Sequence, residues 1–416
     1  MNRIIYNTEE VFFGSPEHEE GGAYLFINGY EILKRLDKVQ SVNYSFESPS
    51  SDINVLGSTT SVDTIHTAPP SANVSYSYYC HGTSNEQKAG FYVQQQGTEK
   101  KNFFSNLVDK DTFSDRKNFY LASNQTPGQD LKNTLTSMSA LKFEGDTQDR
   151  NTLTDPRSEN YDLFIFQNSY VSSYQFDASV NSFATASVGM VCDNAIIITS
   201  GKWVSIPKFN SESGIVEYDS NKIIIPKRTI PTSQEKDVGR VFRDHDISVL
   251  VNKRNTSGIN YFNEKVQSAS FQAEIQRKPI IYLGHKHYHD RKPVFPIVGQ
   301  LEISFLADVG VSGNLFETMD NSEYDVHLTF KDKNKEVLKY SFEGARCTDF
   351  SSSLSIGSNK QYNASFVLNM DLSEDKKGFF VSGESEKVDI ALVDDSFNKI
   401  LDDSDNEIDY SNSLFY

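Results

Sequence analysis

Three histidines at alternate positions, His285, His287 and His289, are the residues of this chain best spaced to hold a metal. On an extended strand they share one face, a ligand set suited to zinc or another borderline metal. Asp244-His245-Asp246 offers a second chemistry, an imidazole between two carboxylates working as an acid–base pair. Tyr76, Tyr78 and Tyr79 offer a third, a stacking platform for sugars. None of these gains support elsewhere in the chain. There is no Gly-x-Ser-x-Gly elbow, no His-Glu-x-x-His and no Gly-x-x-x-x-Gly-Lys phosphate cradle. With 57 carboxylates available, picking two as a glycosidase pair is arbitrary. We expect no catalytic, cofactor or metal site, and read the histidines as solvated or interface residues.

Composition narrows the class. Lys and Arg total 40 against 57 acids, a net charge of −17 over 416 residues, which argues against a basic nucleic-acid-binding surface. Phe and Tyr are abundant (29 and 21) in a chain only 37% hydrophobic, the balance of a β protein with wide solvated surfaces. The first ten residues hold no apolar stretch of signal-peptide length, and about 18 consecutive apolar residues occur nowhere, so neither a leader nor a membrane span is expected. Cys80, Cys192 and Cys347 have no short spacing among them and fit buried, reduced thiols.

The elements that would position any site come from an internal repeat. Lys38-Val-Gln-Ser41 recurs as Lys265-Val-Gln-Ser268, and the two copies align without a gap to Tyr79 and Leu306 at an offset of 227. Eleven of these 42 positions are identical, including Glu47/Glu274, Leu56-Gly57/Leu283-Gly284 and Pro69/Pro296. Further on, Phe164 and Phe166 match Tyr340 and Phe342 at 176, and Ala186-Ser187 match Ala364-Ser365 at 178, which implies a hairpin two residues longer in the second copy. The drop from 227 to 176 leaves 51 extra residues in the first copy, within about 80–160, where polar composition suits a surface loop with a short helix near Phe103–Val108. The repeat also weighs on the chemistry. The histidines align with Ser58, Thr60 and Val62, and Tyr76 and Tyr78 with Ile303 and Phe305, so the fold needs no metal there and the tyrosines are core residues.

The local pattern is β throughout. Val74, Tyr76 and Tyr78 alternate with Asn73, Ser75 and Ser77, and Tyr174, Phe176, Ala178 and Val180 alternate before the turn at Asn181-Ser182. Short helices are expected at Glu31–Leu36 and Asn314–Met319. The expected fold is mainly β: two tandem antiparallel sandwich or barrel domains, each with a short helix. The boundaries are 1–204, 205–383 (a linker and the second domain) and an acidic segment, 384–416, with ten acids against two lysines.

The repeated block resembles the tube domains of tailed bacteriophages. The likeness rests on Val39-Gln-Ser41 leading into a long alternating strand, Leu56-Gly57, the proline-led strand after Pro69-Pro70, their second-copy counterparts, and the closing hairpin from Asn168 to Met190. It implies a non-enzymatic virion protein, assembled in the host cytoplasm, whose domains join into rings, usually six-fold, around a channel that passes genomic DNA without binding it. Partners would be the chain itself and other tail proteins such as sheath, tape measure or baseplate. An acidic protein suits such a channel, because phosphates find no basic sites to hold them. The doubled domain leaves two arrangements: six subunits carrying twelve domains, or three making a pseudo-six-fold ring. The tube subunit is the expected identity. The alternatives are a hub, distal-tail or connecting ring and, from another class, a virion sandwich that binds or cleaves host glycan.

Overall fold

The computed structural model describes residues 9–14, 25–27, 30–54, 56, 59–95, 97–108, 116–124, 161–198, 206–210, 215–219, 222–224, 241–254, 266–283, 288–306, 322–332, 335–353, 361–370 and 376–383. One antiparallel 14-stranded sheet dominates them. The first half of the chain gives it β1 (Glu9–Gly14), β2 (Val39–Glu47), β3 (Ser71–Tyr79), β4 (Arg116–Asn124), β5 (Tyr161–Ser179) and β6 (Thr185–Ile198). The second half gives β7 (Ile247–Lys253), β8 (Val266–Glu274), β9 (Ile297–Leu306), β10 (Glu323–Asp332), β11 (Lys335–Ser353), β12 (Gln361–Met370) and β13 (Gly378–Gly383). The two-residue strand Lys34–Arg35 completes it beside β1.

The pairing order is β1-β4-β5-β6-β3-β2 in the first half and β7-β10-β11-β12-β9-β8 in the second. Each strand of the second array therefore has the neighbours of the strand numbered six below it. Registers repeat as well. β2·β3 and β8·β9 correspond at an offset of 227, each with its ladder interrupted at a glutamine, Gln40 or Gln267. β5·β6 and β11·β12 correspond at 176, with bulges at Ser172 and Thr348. A third bulge puts Asn168 at φ 48 and its counterpart Gly344 at φ 77. Glycine enters that left-handed region freely and asparagine tolerates it better than most, so two different residues solve one backbone problem.

Alternation decides which face is buried. Ala72, Val74, Tyr76 and Tyr78 of β3 point inward, as do Leu301, Ile303 and Phe305 of β9. Both halves feed one core, running from Val11 to Val381 and built largely from aromatic rings in contact. A smaller cluster around Phe12, Tyr120 and Ile165 covers the other face of β1, β4 and β5. Cys80, Cys192 and Cys347 are buried and free.

Three sequence expectations change. The closing hairpins are equal in length, since Asp177↔Thr185 and Ser353↔Gln361 stand at the same offset of 176. The match at 178 is a two-residue slip that preserves the inward–outward pattern. Glu31–Leu36 is strand, not helix: Lys34–Arg35 pairs with Phe12–Phe13, and Leu33 and Leu36 enter different clusters, which one helix face would not allow. The insertion is also more than a surface loop. Its start, 80–108, holds the helix Ser84–Ala89, closed by Gly90 at φ 96, and a 3₁₀ turn at Ser105–Leu107. It buries Phe91, Phe103 and Phe104 in the shared core. β4 corresponds to β10 at an offset of 207, so 20 of the 51 extra residues precede β4 and 31 follow it. Asn314–Met319, the rest of the insertion to residue 160 and the acidic segment lie outside the described residues.

Candidate assembly interface

The two arrays meet edge to edge. The outer end of β5 pairs with β8 over Ser173↔Glu274 to Ser179↔Ser268, placing Phe176 directly opposite Phe271. Both rings are fully buried. Phe271 lies 4.8 Å from Phe342 and 4.5 Å from Phe379, while Phe176 meets Tyr340 edge-on at 5.0 Å. Seven paired residues with such rings beneath them make a seam with the chemistry of a protein interior.

A hairpin locks the seam from the second half. Its arms, Arg277–Ile280 and Asp290–Pro293, reach over the first half. The Arg277 guanidinium donates to the carbonyls of Val171 (3.0 Å) and Leu107 (3.1 Å) and stacks over Tyr170. Arg291 Nε donates to Asp193 Oδ1 at 2.6 Å, and both side chains are buried. The Tyr288 hydroxyl donates to the Pro69 carbonyl at 3.2 Å. The insertion ties back in the other direction. Phe103 N–H donates to Phe379 O and Gln94 N–H to Val381 O, each at 2.8 Å, and Lys100 pairs with Glu343.

The corresponding edge at the far end of the sheet is open. Among the described residues no strand lies on the outer side of β2, and none lies along Asp349–Ser353 of β11 opposite β12. Tyr44 and Phe46 of β2 are 42% and 57% exposed, whereas their counterparts Phe271 and Ala273 are buried. Tyr44 rests on Phe164 and Phe166 at 5.6 Å, much as Phe271 rests on Phe342.

Part of the sheet face opposite the core is acidic and polar, in contrast to β10 and β11, whose outward positions include Lys339 and Arg346. Across β2, β3, β6, the outer part of β5, β8, β9, β12 and Asp349–Ser353, the registers align mostly Ser, Asn, Gln and Thr, with Val191, Val298 and Val367 among them, beside Glu47, Asp177, Glu274, Glu302 and Asp349. The cation that enters these rows is Arg346 of β11, opposite Val367 at their border and 3.5 Å from Glu323. A polyanion finds a hydrogen-bonding surface there with no cation inside its border to hold it.

Glu86 is the one buried acid at the junction of insertion, first half and second half, 1% exposed on the helix Ser84–Ala89. Its Oε1 accepts from Tyr78 Oη at 2.7 Å and from Tyr340 Oη at 3.5 Å, and its Oε2 has no partner. Burial pushes its pKa from 4.5 to about 7 against the pull of those tyrosines. The native state therefore keeps a proton that the unfolded chain releases, and stability falls as pH rises from about 4.5 to about 7. At one pKa unit per 1.36 kcal/mol this amounts to about 3 kcal/mol. Glu86→Gln should remove this dependence and raise stability at pH 8 by up to that amount. Urea midpoints measured at pH 5 and pH 8 test it, and an equal pH response in both proteins would refute it.

Of the residues singled out in the sequence, Asp244, His245 and Asp246 are brought together: His245 Nδ1 lies 3.3 Å from Asp244 Oδ1 and its Nε2 3.5 Å from Asp246 Oδ1, with no nucleophile hydrogen-bonded to the imidazole among the described residues. Tyr76 and Tyr78 are core, and Tyr79 meets Phe183 edge-on. Asp244-His-Asp246 forms an exposed 3₁₀ turn in which Asp246 accepts from the Arg243 N–H and Asp244 from the Asn181 N–H. His289 is half-buried with its ring 4.6 Å from that of Tyr282, while His285 and His287 lie outside the described residues. No metal-binding group of three His, Cys, Asp or Glu occurs among the described residues, and no helix there is long and apolar enough to cross a membrane. Asp193, Arg277 and Arg291 escaped sequence reading because their counterparts, Asn369, Ser50 and Thr64, carry no charge.

No protein-family model matches the chain, and no curated protein matches it. Solved structures similar to it include a chain of the anti-feeding prophage baseplate, 12% identical over 38% of this chain and 97% of that one, with a TM-score of 0.25. A chain of an extracellular contractile injection system sheath–tube complex is 10% identical over 37% of this chain and 100% of that one, TM-score 0.26. Hcp2 from Salmonella typhimurium is 17% identical over 34% and 97%, TM-score 0.16.

Proposed function

We propose that this chain is a non-enzymatic structural subunit of a tailed-phage or phage-like particle, whose tandem domains (1–204 and 205–383) form rings enclosing a channel for DNA. The observation that carries this reading is the continuous sheet. Over eight strands its solvent face holds five carboxylates and, at its border, Arg346, and among the described residues it is open at both ends of the repeat. A glycan-binding sandwich has no need of such a bare face, and the resemblance of the repeated block to tube domains points the same way.

The role we assign first is the tube subunit. The β5·β8 seam supports side-by-side domains in one layer, so a six-domain ring takes three chains rather than six. That arrangement favours a second reading, a hub or connecting ring of the same tail. Negative-stain electron microscopy of the full-length chain across a concentration series tests both. Rings or tubes with a hole of about 20 Å or more, wide enough for a duplex, are expected, and the chains per ring separate three from six. Compact particles at every concentration, stabilised by sugars, would overturn the proposal in favour of a glycan binder.

A further inference from the structure

The seam inside the chain is a template for a seam between chains, and this inference rests on the ring reading above. The paired strand edges and the clamp hairpin that hold the second array to the first have counterparts that are unoccupied among the described residues, whereas the insertion belongs to the first copy alone. β8 is held by the outer end of β5. The counterpart of β8 is β2, and that of the outer end of β5 is Asp349–Ser353 of β11; among the described residues both edges are open. The bulges at Ser172 and Thr348 mark the start of both segments, so they correspond residue for residue.

We infer that β2 of one copy pairs antiparallel with Asp349–Ser353 of a second copy in the register of the β5·β8 seam. Applying the two offsets, 227 and 176, sets Glu47 opposite Asp349, Phe46 opposite Phe350, Ser45 opposite Ser351, Tyr44 opposite Ser352 and Asn43 opposite Ser353. The apolar stripe closes: Phe350 already contacts Phe305 and Tyr362, and Phe46 and Tyr44 extend that group across the joint. The hairpin arms Ser50–Ile53 and Asp63–His66, counterparts of the clamp that binds the first half, are exposed throughout and carry Ile53, Leu56, Val62 and Ile65 in the open. In the second copy they lie over β11 and β12. The contact is head-to-tail, uses different surfaces on the two copies and repeats an internal joint, the kind of contact that closes into a ring when the rotation at each joint divides a full turn. Glu47 against Asp349 is its one like-charge pair.

Variants of the full-length chain test the register. Tyr44→Asp with Phe46→Asp alters rings that are half exposed and rest on Phe164 and Phe166, so the chain should stay folded at a lower melting temperature while rings are lost at concentrations where the parent forms them; Tyr44→Ser, opposite Ser352, should lose rings with a smaller drop. Ser45→Cys with Ser351→Cys in one chain should, on oxidation, link chain to chain into a ladder ending at the ring number, whereas Asn43→Cys with Ser351→Cys, two residues out of register, should not. Rings that persist in the aspartate variant, or that form without Ser45→Cys/Ser351→Cys cross-links, overturn the seam and leave the ring reading standing. A parent chain monomeric at every concentration overturns both.

Discussion

Replacing Phe379 with alanine should lower the free energy of unfolding by about 3–5 kcal/mol, the range for emptying a large aromatic site in a core. The ring joins three parts of the molecule. It stacks on Phe342 of β11 at 4.6 Å with planes 4° apart, lies 4.5 Å from Phe271 beneath the seam, and sits 4.9 Å from Phe103 of the insertion. Its backbone carbonyl accepts the Phe103 N–H, which pins the insertion against β13, so the cavity cannot collapse without moving all three. Phe379→Leu keeps much of the volume and should lose less than half as much. Urea titration of both variants measures the difference, and a loss below about 1 kcal/mol for the alanine form would show that the site refills.

Arg291→Ala should cost a similar amount, about 3–5 kcal/mol at neutral pH, for a different reason. Asp193 is buried, and its partner at 2.6 Å is the Arg291 guanidinium. Burial already pushes the Asp193 pKa up to about 6 with the cation in place; without it the carboxyl rises further and is protonated at neutral pH, so the penalty is that of burying an acid stripped of its partner rather than the worth of the pair. Replacing both together, Arg291→Met with Asp193→Leu, should recover most of the loss. Denaturant midpoints for the single and double variants form the test, and additive losses would refute it. Because Arg291 belongs to the clamp hairpin, the single variant should also expose the region between 277 and 293 to proteolysis before global unfolding.

The sequence exposed the repeat because buried positions keep apolar bulk when identity is lost: Tyr76 answers Ile303 and Val74 answers Leu301. Alternation found the strands and put Tyr76 and Tyr78 inside. It did not fix register in the closing hairpin, because a slip of two residues leaves a period of two unchanged, and only the partner strand decides. The helix expected at Glu31–Leu36 failed because pairing with β1 outweighs local spacing. The insertion looked like a surface loop because its few rings, Phe91, Phe103 and Phe104, are diluted by polar neighbours, yet they fill the space between the halves. The assembly surface was legible only in part. Tyr44 could be matched to Phe271, but that one is exposed and the other covered is a property of the fold.

The same open edge poses a hazard for any chain made in quantity, since an unpaired strand invites copies of itself. Here the ladder is interrupted at Gln40 and ends at Glu47, leaving a short window. A parallel in-register stack of β2 strands would set Glu47 on Glu47 in every layer, an accumulating repulsion that a single ring joint meets only once. The edge is thus selective by arithmetic: one correct neighbour tolerates its carboxylate, and an endless file of wrong ones does not.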